Sequence, residues 1–114
     1  MKKVLWISRH VLSPEQHAGL ETVCGGPFRL DWWRENVEDA AQLREAVAHA
    51  DVIAAVLPLH LLAEVTAMAG HRPVLISQAR RVLVPTDGPE AAVRFTHGGW
   101  QRIKRLELEL EPAE

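Results

Sequence analysis

The clearest strand in the sequence is DVIAAVLP, residues 51–58. Its residues from 52 to 57 are all apolar, so both faces of a strand formed here need to be covered. A strand that is covered on both faces is typical of the centre of a parallel sheet with helices above and below it. We therefore expect this segment to lie in the middle of an α/β domain.

Strand-like and helix-like segments alternate on either side of this central strand. The strands are predicted at residues 4–8, 28–32, 51–58 and 73–77. The helices are predicted at residues 14–23, 37–50 and 59–69. The order βαβαβαβ with right-handed crossovers predicts a small Rossmann-like domain whose mostly parallel sheet has the order 2-1-3-4.

The pattern changes after the fourth strand. Short strands are predicted at residues 81–84 and 92–95, with a Pro- and Gly-containing turn at 85–89 between them. Residues 97–100, His-Gly-Gly-Trp, predict a second turn, and the alternating Leu and Glu residues within 101–111 predict a long final strand. These segments indicate antiparallel strands at the C-terminal end of the sheet.

Length and composition predict one domain that covers residues 1–114. The chain has 114 residues, of which 47% are apolar, and this is enough for one hydrophobic core. The formal charge is −2 and the pI is near 6.3, which argues against binding of long nucleic acid. The longest apolar stretch is interrupted by Pro58, His60 and Glu64, so no membrane span is expected.

Cysteine usage and the N-terminus indicate a cytoplasmic protein. Cys24 is the only cysteine, so a disulfide within the chain and a thiolate metal cluster are excluded. The apolar run after Lys3 is too short for a signal peptide before Arg9 and His10 interrupt it. No metal is expected, because the histidines lack metal-ligand spacing with carboxylate or thiol partners.

Polar side chains follow the first, third and fourth strands, where a parallel sheet binds its ligands. The triplet Ser8, Arg9 and His10 follows the first strand, and His60 follows the third. Ser13 stands at the start of the first helix, whose free N–H groups favour an anion. The weaker candidates on the same edge are Arg80 and Arg81. This set predicts a site for a small phosphorylated ligand, although the triplet would also be compatible with a solvated loop and His60 with a packing residue.

A second candidate constellation surrounds the glycine pair at residues 98 and 99. His97 and Trp100 flank that pair, and Trp100 is able to stack on a nucleobase. The alternative for this stretch is a plain hairpin connection. The sequence has no GxGxxG, P-loop or HExxH motif, so no cofactor is expected.

Two stretches of the sequence resemble the small CRISPR-associated proteins of the ring-nuclease type. They are WISRHVLSPEQ, residues 6–16, and VRFTHGGWQRIKRLELE, residues 93–109. The resemblance implies a Rossmann-like fold related to CARF domains. It also implies a homodimer that binds a cyclic oligoadenylate, most simply cyclic tetra-adenylate, across the two-fold axis in antiviral signalling.

The resemblance further implies cleavage of that ring without a metal. The ribose 2′-hydroxyl would attack the neighbouring phosphate and leave a 2′,3′-cyclic phosphate. The resemblance implies that Arg9 stabilises the phosphate and that His10 either acts as the acid or base or orients the ring. Two alternatives stay open: a nucleotide-binding sensor or sponge that does not cleave, and an interaction protein with no small ligand.

Overall fold

The computed structural model describes residues 1–84 and 92–104, with the backbone alone for 80–84 and 92–96. The strands are β1 (Lys2–Ile7), β2 (Phe28–Trp33), β3 (Val52–Ala55), β4 (Val74–Val84) and β5 (Ala92–Arg102). The α-helices are α1 (Pro14–Cys24), α2 (Arg44–Ala48) and α3 (Leu59–Ala69), and a 3-10 turn at Ala40–Leu43 leads into α2. The predicted bounds of α3 are confirmed, and those of α1 differ by one residue.

The five strands form one sheet in the order β2-β1-β3-β4-β5. The first four strands are parallel, and β5 pairs antiparallel with β4. The predicted α/β class, the order of the first four strands and the antiparallel C-terminal extension are therefore confirmed. All four residues of β3 are buried, as the apolar pattern of the central strand requires.

Alternate residues of β1 enter two separate hydrophobic cores, one on each face of the sheet. Leu5 and Ile7 pack with residues of α2 and α3. Val4 and Trp6 pack with Leu20 of α1 on the opposite face. Because successive side chains of a strand point to opposite faces of the sheet, β1 packs against helices on both sides.

Helix α1 is capped at both ends by the residues that the sequence predicts. Ser13 Oγ accepts a hydrogen bond from Gln16 N, and the Gln16 side chain accepts one from Ser13 N, which completes the capping box. At the other end Gly25 has a φ of 77°, the left-handed conformation that closes a helix.

The second predicted helix is shorter than residues 37–50. Asp39 caps the 3-10 turn by accepting a hydrogen bond from Ala41 N, and Gln42 Oε1 accepts one from Asp39 N. This capping box fixes the start of the helical segment, so residues 37–39 remain non-helical. Helix α2 itself begins at Arg44.

The turn predicted at residues 97–100 is wrong, because this stretch lies inside β5. Ser77 pairs with Trp100 and Ala79 pairs with His97. The segment of β5 between these pairs is therefore one residue longer than the matching segment of β4. The extra residue falls at the glycine pair, and Gly99 has a φ of 119°. The glycines therefore form a bulge within the strand and do not reverse the chain.

Residues 81–84, predicted as a separate strand, are the far end of β4. The turn predicted at 85–89 and most of the final strand predicted at 101–111 lie outside the described residues. Within the described part of the chain, no helix has the length and apolar character that crossing a membrane requires.

Candidate functional site

A cavity of about 400 Å³ opens at the carboxyl ends of β1 and β3. The connections of these two neighbouring strands lead away in opposite directions, and such a point is where open parallel sheets bind ligands. Its lining comes from residues 7–10, 35–38 and 56–58, which follow or end β1, β2 and β3. We call this cavity the switch-point crevice. Its volume falls within the range of roughly 300–1,000 Å³ that small-ligand pockets occupy.

Two tryptophan side chains hold the loop after β1. The indole Nε1 of Trp6 donates a 2.8 Å hydrogen bond to the carbonyl oxygen of His10. Trp32 Nε1 donates a bond of the same length to the carbonyl oxygen of Ser8. Both carbonyl oxygens are thereby bound by ring N–H groups, so the loop is positioned by the sheet residues beneath it.

Ser8 and His10 also interact within the loop. The Ser8 hydroxyl oxygen accepts a 3.1 Å hydrogen bond from His10 N. Ser8 is only 7% exposed, whereas the side chains of Arg9 and His10 are exposed. Ser8 thus shapes the loop, and Arg9 and His10 are the residues that are free to meet a ligand.

The second wall of the switch-point crevice is acidic. It consists of residues 35–38, which include Glu35, Asn36 and Glu38. Its two ends are fixed, because Trp33 O accepts a 3.2 Å hydrogen bond from Ser8 N and Gln42 Oε1 accepts a 2.9 Å bond from Glu38 N. The acidic wall therefore has a defined position beside the loop that carries Arg9.

The third wall is apolar and comes from Val56, Leu57 and Pro58. Val56 N donates a 2.9 Å hydrogen bond to Ile7 O, so this wall continues the pairing of β1 with β3. Val56 is nevertheless 57% exposed. An exposed apolar wall between polar groups is the composition that small-molecule sites commonly have.

Charges of both signs face one cavity without neutralising each other. Within the described chain, Arg9 forms no salt bridge with Glu35 or Glu38. The described residues also contain no group of three or more His, Cys, Asp and Glu side chains arranged to hold a metal. The switch-point crevice therefore offers separate cationic and anionic groups to a ligand that carries both acceptors and donors.

Ser13 and His60, two of the other predicted site residues, lie outside the switch-point crevice. Ser13 uses its hydroxyl to cap α1, and His60 is an exposed residue in the first turn of α3. Arg80 and Arg81 are in β4, opposite Thr96 and Phe95 of β5, where only the backbone is described. The structure thus brings together Ser8, Arg9 and His10 but does not add Ser13 or His60 to the same lining.

His97 and Trp100 lie on the face of the sheet that α1 covers. Trp100 Nε1 donates a 2.9 Å hydrogen bond to Gln16 O of α1, and the Trp100 ring packs edge-on against Trp6. His97 Nδ1 lies 2.5 Å from Ser77 Oγ. Trp6 therefore contacts this cluster with its ring and the His10 loop with its indole nitrogen.

Burial lowers the pKa of His97 below its ordinary value of 6.5, and the nearby Glu15 carboxylate opposes that effect. Gln16 Nε2 donates a 3.4 Å hydrogen bond to the Ser77 hydroxyl that contacts His97. These contacts tie the N-terminal turn of α1 to β4 and β5. The cluster around His97 and Trp100 is consequently a polar packing contact between α1 and the sheet.

The acidic wall was missing from the residues predicted by sequence. Glu35 and Asn36 follow β2 by two and three residues, so their position after a parallel strand was the available signal. The sequence prediction uses only the segments after the first, third and fourth strands, so it does not include the segment after β2.

Comparison of the chain with protein-family models, with curated proteins and with solved structures gives no match. Its function is therefore inferred from the residues and geometry of the switch-point crevice.

Proposed function

We propose that the protein is a metal-independent ring nuclease that binds and cleaves a cyclic oligoadenylate second messenger. The observation that carries the proposal is the position of Arg9 and His10, exposed side by side in the switch-point crevice. A guanidinium presents a fork of donors that suits a phosphate group. An imidazole is the side chain whose charge changes most readily near neutral pH.

The proposed reaction is an intramolecular transesterification of one phosphodiester in the ring. The 2′-oxygen of one ribose attacks the adjacent phosphorus, and the bond from that phosphorus to the 5′-oxygen breaks. His10 accepts the proton from the 2′-hydroxyl and returns a proton to the departing 5′-oxygen. Arg9 stabilises the negative charge that builds up on the phosphate oxygens. The products carry a 2′,3′-cyclic phosphate and a free 5′-hydroxyl.

The ligand is proposed to be shared between two copies of the chain. Val11, Val56 and Leu59 are 73%, 57% and 53% exposed, and each lies in or beside a segment that follows β1 or β3. Covering these apolar side chains with a second copy stabilises a dimer. A two-fold dimer would also double the number of Arg9 side chains that face a ring with several phosphates.

Incubation of the protein with cyclic tetra-adenylate in the presence of EDTA tests the activity. We expect linear products that end in a 2′,3′-cyclic phosphate. His10→Ala should abolish turnover while it retains binding, and the exposed His71 supplies the matched control His71→Ala. Intact ligand after long incubation, across several ring sizes, would contradict ring cleavage.

Binding is tested separately from cleavage. Arg9→Ala should weaken the affinity for cyclic tetra-adenylate about tenfold or more, because a charge-assisted hydrogen bond is lost. Arg29→Ala, which removes an exposed arginine of β2, is the control and should bind as the unmodified protein does. Equal affinities of the two variants would argue against the switch-point crevice as the site.

A nucleotide sensor or sponge that does not cleave is the second candidate. The observation in its favour is that, among the described residues, no side chain bonds to the His10 imidazole. Proton transfer by histidine commonly uses a partner that fixes the tautomer of the ring. Tight binding of cyclic tetra-adenylate without turnover would select this candidate.

A further inference from the structure

The acidic wall of the switch-point crevice is unexpected in a site for a purely anionic ligand. Glu35 and Glu38 line the same cavity as Arg9, and within the described chain neither carboxylate is in a salt bridge. A bare phosphate would be attracted by Arg9 and repelled by the two carboxylates. A ligand that carries hydroxyl donors as well as a phosphate satisfies both walls. A ribonucleotide has this combination of groups.

We infer that Glu35 binds the ribose 2′-hydroxyl and so makes the switch-point crevice selective for ribonucleotides over deoxyribonucleotides. This inference rests on the proposed function, since it assumes that the crevice holds a nucleotide. It assigns a role to a wall that the phosphate chemistry of Arg9 and His10 leaves unused.

The topology supports this role. In Rossmann sheets that bind dinucleotides, the pyrophosphate lies beside the turn after β1, and a carboxylate further along the chain accepts a hydrogen bond from a ribose hydroxyl. Here Arg9 is in the loop after β1, and Glu35 is two residues beyond the end of β2. Both side chains line one cavity, so the phosphate and the ribose of one nucleotide have a group to meet on either side.

Glu35 is favoured over Glu38 by its connection to the phosphate-side loop. Trp33, two residues before Glu35, accepts a backbone hydrogen bond from Ser8 N. Glu38 is further along the chain, and its backbone N–H is bound to Gln42 at the start of the 3-10 turn. Glu35 is therefore the carboxylate that lies closer along the chain to the bond between β2 and the loop that carries Arg9.

The ring of a cyclic 3′,5′-linked oligoadenylate leaves only the 2′-hydroxyl of each ribose free. A carboxylate that binds this hydroxyl also holds the oxygen that the proposed reaction uses as its nucleophile. Glu35 is thus a specificity and positioning residue at the site.

Binding measurements with paired ribo and deoxy probes test the inference. The probes are AMP with 2′-deoxy-AMP, and cyclic tetra-adenylate with its 2′-deoxy counterpart. The unmodified protein should prefer each ribo probe about tenfold, as expected for a hydrogen bond to a charged group. Glu35→Ala should bring the ratio close to one. Glu45→Ala, at an exposed glutamate of α2, is the control and should retain the preference.

A second readout distinguishes a ribose-binding carboxylate from one with a merely structural role. Glu35→Gln removes the negative charge and keeps the size of the side chain. Its affinity for inorganic phosphate should rise above that of the unmodified protein, because repulsion between like charges is relieved. An unchanged or lower affinity for phosphate would count against the inference.

The outcomes separate this inference from the proposed function. If cyclic tetra-adenylate is bound and cleaved but the ribo preference is absent, or survives in Glu35→Ala, the inference is overturned and the proposed function stands. If AMP binds with a ribo preference that depends on Glu35 while no ring binds, the inference stands and the proposed ligand is wrong. If no nucleotide binds, both are overturned.

Discussion

The indole nitrogen of Trp6 lies 2.8 Å from the carbonyl oxygen of His10, and this contact joins the buried core to the candidate site. Trp6 is 1% exposed and packs on the α1 face of the sheet. His10 is an exposed residue of the switch-point crevice. A side chain that carries no charge and meets no solvent therefore determines where the loop with Arg9 and His10 lies.

Replacement of Trp6 by Phe should weaken both the fold and the site. The ring remains apolar, but the hydrogen bond to the His10 carbonyl is lost and a gap opens in a packed core. We expect a loss of about 1–3 kcal/mol in the free energy of unfolding, measured by urea titration. Affinity for cyclic tetra-adenylate, measured by calorimetry, should fall as well.

Trp32→Phe is the comparison for this change. The substitution releases the Ser8 carbonyl, but Trp32 is only partly buried, on the edge strand β2. Its effect on unfolding should be smaller, while ligand affinity should still fall. Unaltered ligand affinity in both variants would show that the indole contacts do not position the loop.

Gly19 of α1 should not tolerate a methyl group. A Cβ at this position would come within 2.8 Å of Trp100 Cδ1. An Ala in a helix interior normally stabilises by up to about 1 kcal/mol relative to Gly. Here the clash should outweigh that gain and destabilise the protein by about 1–3 kcal/mol.

A double-mutant cycle separates the cost of the clash at Gly19 from the gain in helix propensity. In a Trp100→Ala background the methyl group of Gly19→Ala has room, so the same substitution should become neutral or stabilising. Thermal unfolding of the unmodified protein, the two single variants and the double variant gives the coupling free energy between the two positions. Additive effects would indicate that the Trp100 ring does not limit this position.

Mild acid should destabilise the cluster around His97. Burial lowers the pKa of His97 in the folded protein below 6.5, whereas the unfolded chain keeps the ordinary value. The unfolded state therefore binds the proton more readily, and the free energy of unfolding falls as pH drops below about 6.5. The decline ends once the pH is below the folded-state pKa. Above pH about 7 this contribution is fully retained.

His97→Asn is the variant that tests this dependence, because its amide retains a hydrogen-bonding group near the position of Nδ1. Urea titrations at pH about 5 and about 7.5 should show a smaller loss on acidification for this variant than for the unmodified protein. His71→Ala, at an exposed histidine, should keep the full dependence. Identical acid sensitivity of His97→Asn and the unmodified protein would refute the role of His97.

The cap of α1 should contribute measurably to stability. Ser13→Ala removes the oxygen that accepts a hydrogen bond from Gln16 N, and we expect a loss of about 1 kcal/mol. Ser13→Asp restores a capping oxygen and should recover most of that loss. Chemical denaturation of the three proteins decides the point, and equal midpoints would show that the cap is dispensable.

The elements that were predicted most accurately carry strong local signals. Helix α3 begins after Pro58 and ends at Gly70, and α1 begins at a Ser-Pro pair and ends at Gly25. Caps of this kind act on backbone groups only a few residues away, so they are visible in the sequence. Strand β3 lies within the predicted segment for the same reason, because an apolar run bounded by Asp51 and Pro58 has few alternatives. It covers only Val52–Ala55 of the predicted residues 51–58.

The features that were missed depend on distant partners. The glycines at 98 and 99 favour a turn locally, but pairing of Trp100 with Ser77 keeps this stretch in β5. The place of Glu35 in the crevice depends likewise on contact between the ends of β1 and β2, and its position two residues after β2 is the only signal of this in the sequence. The sequence predicts Ser8, Arg9 and His10 as site residues because they end or follow the first strand, and all three line the switch-point crevice.

The tryptophan hydrogen bonds to the loop after β1 have a consequence for how this site changes in evolution. Trp6 and Trp32 hold main-chain carbonyl oxygens, which every amino acid possesses. The path of the loop is therefore independent of which side chains stand at positions 9 and 10. A lineage that keeps the two tryptophans is free to exchange Arg9 and His10 one mutation at a time, and so to acquire new ligand preferences without rebuilding the loop.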